Sequence, residues 1–123
     1  MCDSNITSPI GRTKTLPDEG DEVELSLGIF SCAKFHRGYF NPYGNAARRE
    51  MVDYFVHLGD YFYEEEAGTG DRGMQPPREL ATLYDFRTRL GQYRTDEDLL
   101  FSHQQFPWIT TWVSLSDVPK FCS

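Results

Sequence analysis

Tyr54-Phe55-Val56-His57-Leu58-Gly59-Asp60-Tyr61-Phe62-Tyr63-Glu64 is the stretch on which the fold turns. Its first five residues form a continuous apolar run closed by Gly59-Asp60. A short run bounded by glycine predicts a central strand buried on both faces, as in parallel α/β sheets. In open sheets of that class, ligands gather at the carboxyl ends of the strands. Asp60 falls at such an end, and Gly59 lets the backbone turn sharply and approach a ligand. A carboxylate there is placed to bind one metal ion or to bridge two, with Tyr63 close enough to join it. The plain alternative is that Asp60 caps a turn and Tyr63 packs at a rim. A single Gly-Asp dipeptide does not decide between the two.

Working outward, Val23, Leu25, Leu27 and Ile29 alternate with Glu24, Ser26 and Gly28. That pattern predicts a strand over Val23–Phe30, giving way to a loop at Ser31-Cys32. Gly38 to Gly44 is aromatic and turn-rich, and Asn45 is placed to cap a short helix through Met51. After the central run, Glu64 to Arg78 reads as a long surface loop. Glu79–Leu90 reads as a helix with Leu80, Leu83 and Tyr84 on its apolar face and Arg87 and Arg89 among its polar positions. Thr95 with Asp98 resembles a capping box opening a second helix through Leu99, Leu100 and His103. Phe106–Trp112 is a third strand candidate. The order strand, helix, strand, helices, strand predicts an α/β sheet.

Cys32, like Asp60, follows a strand candidate. If the two strands are parallel neighbours, both residues emerge at one edge of the sheet. A thiolate, a carboxylate and a phenolate together suit iron better than magnesium. An ordinary buried cysteine is the competing reading of Cys32. His57 lies inside the strand, where a satisfied core histidine is the expected role. His36 and His103 show no partner pattern. Neither a P-loop nor a Gly-x-Ser-x-Gly elbow is present. Asp96, Glu97 and Asp98 read as the favourably charged first turn of a helix.

Composition narrows the function classes. Of 123 residues, 39% are hydrophobic and 25% charged, as expected of a globular chain. The formal net charge of −7 argues against nucleic acid as a partner. It does not argue against metal cations, which a few carboxylates hold locally. Three widely spaced cysteines, Cys2, Cys32 and Cys122, form neither a disulfide framework nor a zinc pattern. No apolar run is long enough to span a bilayer, and Met1-Cys2-Asp3-Ser4 has neither the basic start nor the apolar stretch of a signal peptide.

Four segments together resemble the alkaline phosphatase D family. They are Phe30-Ser31-Cys32 leading to Gly38-Tyr39-Phe40-Asn41; Val56 to Glu64; Leu83-Tyr84-Asp85-Phe86-Arg87 with Tyr93-Arg94-Thr95-Asp96; and His103 to Trp112. They keep the family's order and similar spacing. The resemblance implies a metallophosphoesterase (calcineurin-like) fold, a sandwich of two mixed sheets flanked by helices. It implies hydrolysis of phosphomonoesters and phosphodiesters at a site with iron and calcium. By the same resemblance, Cys32 and Tyr63 are iron ligands and Asp60 bridges iron and calcium. The family is often secreted or held at the cell surface.

The resemblance also divides the chain. Residues 1–22 read as a polar tail resembling the end of a preceding β-rich domain. Residues 23–112 read as the N-terminal part of the metallophosphoesterase domain, and 113–123 as a tail outside the family. Where the family continues into Asp-Asp-His-Glu, this chain runs into Val113-Ser114-Leu115-Ser116. Val-Ser is what an intron donor gives when translated in frame, so the tail is expected to be translated intron without regular structure. A phosphoesterase fragment, inactive by itself, is the leading expectation. A non-catalytic binding module retaining half of the fold is the alternative.

Overall fold

A computed structural model describes residues 10–66, 68–70 and 72–111. Three strands, β1 (Leu27–Phe30), β2 (Tyr54–His57) and β3 (Trp108–Thr110), form one parallel sheet in the order β1-β2-β3. A 3-10 turn (Phe35–Arg37) and helix α1 (Asn41–Arg48) connect β1 to β2. Helices α2 (Leu83–Tyr93) and α3 (Glu97–Gln105) connect β2 to β3. Parallel neighbours require such crossovers, so the predicted α/β order and the sheet agree.

β2 is the central strand, as its apolar run predicts. Register pairs Gly28, Phe55 and Trp108 across the sheet on one face, with Phe30 and His57 following on the same side. On this face Phe55 lies 5.4 Å from Phe30 and 5.2 Å from Trp108, ring centroid to centroid, both stacked. Tyr43 of α1 stacks on Phe30 and Trp108. The core therefore sits between this face and the α1–α3 pair. Gly44 permits the close approach of these helices, since a Cβ there would collide with the Asp98 side chain.

Several boundaries differ from expectation. β1 is shorter than Val23–Phe30: Asp53 closes the ladder, donating its N–H to Ser26 O and accepting Ser26 N–H, and Val23 and Leu25 remain exposed. α1 begins at Asn41 rather than after Asn45, with Pro42 in its first turn, where a missing N–H costs nothing. Thr82 and Asp85 form a capping box, so α2 starts at Leu83 and runs on to Tyr93. Asp96, not Thr95, caps α3 by accepting Leu99 N–H at 3.1 Å, while Thr95 Oγ1 donates to Gln92 O. The segment read as a surface loop sends Met74 into the core, 2.8 Å from His36 Nδ1.

The largest correction concerns α2. Leu83 and Tyr84, assigned to its apolar face, are exposed, and Arg89, assigned to its polar positions, is fully buried. The polar tail also makes contacts: Arg12 N–H donates to Gln104 O, Lys14 pairs with Asp53, and Tyr54 OH donates to Thr15 O. The expectation for residues 113–123 falls outside the described residues.

The second face of the sheet is apolar and, among the described residues, only partly covered: Tyr54 is buried, but Val56 is half-buried and Leu58 exposed, so β2 is not buried on both faces as its apolar run predicts. Ile29, Val56 and Ile109 are aligned across it, and Leu27, Ile29, Leu58 and Ile109 are all exposed. The purified chain is expected to self-associate as its concentration rises, and Ile29→Glu to suppress this without lowering the unfolding midpoint. Sedimentation velocity checks it; a monomer at every concentration would contradict the expectation.

Candidate metal centre

The parallel pairing of β1 and β2 brings the two following loops together. Beyond the strands the ladder continues: Leu58 N–H donates to Phe30 O, Cys32 N–H to Gly59 O, and Ala33 N–H to Asp60 O. Cys32 and Asp60 both adopt left-handed backbone, with φ of 57° and 53°, and Gly59 has φ 120°. That conformation is uncommon for residues other than glycine and collects at functional sites.

The side chains converge on Asp60. Cys32 Sγ lies 3.8 Å from Asp60 Oδ2, and Tyr63 OH donates to the same oxygen at 3.4 Å. All three predicted site residues thus meet at the carboxyl ends of β1 and β2. Cys32 is exposed rather than buried, which removes the core-cysteine alternative. Lys34, ion-paired with Glu65, holds its ammonium 4.8 Å from the Tyr63 ring centroid. Among the described residues, no three His, Cys, Asp or Glu side chains form a group that could hold a metal ion; the third side chain of this cluster is the Tyr63 phenol.

The histidines serve the core. His57 is fully buried; Gly59 N–H donates to its Nδ1 and Tyr43 OH lies 3.3 Å from its Nε2. With Nδ1 accepting, the neutral ring carries its proton on Nε2 and donates it to Tyr43. Burial holds His57 below its ordinary pKa, with Asp60 opposing. His103 stacks on Trp108 at 3.8 Å and places Nε2 2.8 Å from Tyr61 OH. Burial, helped by the charge of Arg94, pushes its pKa down to about 3.

Sequence reading missed the residues of α2 that support this site. Asp85, Arg89 and Tyr93 form its buried stripe. Asp85 accepts both Arg78 Nη groups, at 3.0 and 2.8 Å, and the N–H groups of Ala81 and Thr82. Burial raises its pKa, but these hydrogen bonds outweigh burial and leave it at about 2. The available signal was their spacing of four, masked because polar residues are normally assigned to the solvent face.

Comparison with known proteins shows the family. Residues 27–113 match the family of PhoD-like phosphatases. Over 111 residues the chain is 40% identical to alkaline phosphatase D of Bacillus subtilis (strain 168), covering 85% of this chain and 19% of that protein. A solved structure of PhoD superposes with a TM-score of 0.77 at 39% identity, covering 87% of this chain and 22% of that one. The chain spans about a fifth of the length of these relatives.

Proposed function

The chain belongs to the PhoD-like phosphatase family, and on that premise we propose that it supplies Cys32, Asp60 and Tyr63 to a site hydrolysing phosphate mono- and diesters. The observation that carries this reading is the approach of a thiol and a phenol to one carboxylate at the carboxyl ends of two parallel strands.

The donor set fits the metals that the family resemblance implies. Cys32 and Tyr63 would hold iron, which accepts thiolate and phenolate together. Asp60 has two oxygens and would share them between iron and calcium. When bound, the metals supply Lewis acidity, offsetting charge on the phosphoryl oxygens and activating an oxygen nucleophile. Both Cys32 and Asp60 have left-handed backbone, and their side chains lie 3.8 Å apart, which supports a shared site. The apolar side chains exposed on the second face of the sheet among the described residues, Ile29, Leu58 and Ile109, support a second layer packed there, as in the calcineurin-like sandwich. Residues 23–112 are then the first part of the catalytic domain.

One chimera tests the reading. Residues 27–111 of this chain, replacing the matching segment of Bacillus subtilis alkaline phosphatase D, are expected to yield an enzyme that hydrolyses a chromogenic phosphodiester. Asp60→Asn in that chimera is expected to lower the rate on the order of a thousandfold, because several kcal/mol of charge stabilisation passes through this carboxylate. A folded but inert chimera, or an Asp60→Asn variant of undiminished rate, would overturn it. The 123-residue chain alone is expected to show no turnover.

A further inference from the structure

Helix α2 lies outside the site, yet its buried face holds both loops that carry the candidate ligands. Asp85, Arg89 and Tyr93 are spaced four residues apart and line one side of the helix. A buried helix face ordinarily presents aliphatic side chains, and a buried polar group is costly unless it is hydrogen-bonded. Here Arg89 and Tyr93 direct their bonds to loop backbone. Arg89 Nη1 donates to Tyr63 O at 2.6 Å and to Glu65 O at 3.4 Å. Its Nη2 donates to Pro76 O and Arg78 O, and its Nε to Gln75 O. Tyr93 OH donates to Ala33 O at 2.6 Å and accepts Phe35 N–H at 3.2 Å.

We propose that Arg89 and Tyr93 are positioning residues, Arg89 for the Tyr63 phenol and Tyr93 for the Cys32 thiol. The inference rests on the metal-site reading above. Cys32 and Tyr63 both lie beyond the ends of their strands; the ladder reaches Cys32 and Ala33 through the N–H bonds to Gly59 O and Asp60 O and goes no further, and Tyr63 lies three residues past Asp60. A ligand set has to be held to about 0.5 Å, and loops achieve this only when their backbone is tied to a rigid element. One turn of α2 separates the two ties, so a single rigid helix sets the relative placement of loops that begin at Cys32 and at Tyr63. Arginine is specific to this task, because its planar fork of donors serves several carbonyls at fixed angles and a lysine ammonium does not. An aliphatic residue would fill the space at lower desolvation cost, but it would leave those carbonyls unbonded.

Two variants of the full chain, Arg89→Lys and Tyr93→Phe, test this by two readouts. The first is site-resolved amide hydrogen exchange without metal. The second is titration with ferric ion, followed at the visible phenolate-to-iron charge-transfer band. Arg89→Lys is expected to speed exchange about tenfold at Leu80, whose N–H is held by Glu64 O in the loop that Arg89 ties, while β2 keeps wild-type rates, and to weaken ferric binding roughly 10–100-fold. Tyr93→Phe removes only a hydroxyl and is expected to act likewise at Ala33–Phe35. Exchange accelerated by one common factor throughout, with ferric affinity unchanged, would reduce both residues to general stabilisers and overturn the proposal. So would wild-type behaviour of both variants. A wild-type chain without the band, matched by Tyr63→Phe, would sink the metal reading instead, and the exchange pattern would then decide the positioning roles alone. Should Arg89→Lys fail to fold, Tyr93→Phe decides.

Discussion

Phe55→Ala is expected to lower the stability of the chain by about 3–5 kcal/mol, the usual cost of emptying a phenylalanine site in a core. Phe55 is wholly inaccessible on the central strand, and its ring lies between Phe30 and Trp108 and against Phe106. Removing the ring takes a partner from three aromatic side chains at once, and a parallel sheet of short strands has little freedom to collapse into the space. Small domains hold only about 5–15 kcal/mol in total, so the variant should show a much lowered unfolding midpoint or no cooperative transition. Leu83→Ala is the contrasting control. Leu83 is 65% exposed on α2, although helical periodicity alone places it in the core. Its truncation should fall within about 0.5 kcal/mol of wild type. Denaturant midpoints of the two variants check both statements, and equal losses would contradict the packing described above.

Stability is also expected to fall steadily as the pH drops from 6.5. His103, His57 and His36 all have folded pKa values below the ordinary histidine value, in each case chiefly through burial. The unfolded chain therefore takes up protons near pH 6.5 that the folded chain refuses. The contribution of these groups is fully present above pH 6.5 and is lost as the pH falls towards the folded values, about 3 for His103. A histidine kept neutral in this way costs up to about 1.4 kcal/mol per pH unit across its window. Asp85, with its folded pKa at about 2, adds a further loss below about pH 4, the unfolded carboxylate value. Unfolding midpoints between pH 7.5 and 4 check this. His103→Gln should flatten the profile, since a glutamine takes up no proton. A wild-type profile that is level over this range would refute the account.

Much of the architecture was legible from the chain itself. The run Tyr54 to Leu58 specified the central strand, but not its cover: burial on both faces was expected, and the structure leaves Val56 half-buried and Leu58 exposed. The two residues that begin the candidate site, Cys32 and Asp60, were legible because ligands collect where parallel strands end. Their identities were not enough to choose a metal, and the family resemblance supplied iron and calcium as an expectation. Helix starts were read less well. Asn45, Thr95 and Glu79 all looked like openings, but Thr82 and Asp96 accept first-turn N–H groups of α2 and α3, and Pro42 removes one from the first turn of α1.

Local pattern specified where strands form and which residues follow them, because those depend on side chains a few positions apart. Tertiary structure alone decided the meaning of α2. By periodicity Leu83 and Tyr84 belong inside and Arg89 outside, and the fold reverses this. The reason is that the loops from Cys32 and Tyr63 carry backbone groups that no strand or helix satisfies. Arg89 and Tyr93 are buried because those groups need partners, and the need becomes visible only when residues some 60 positions apart, Ala33 and Tyr93, are in contact.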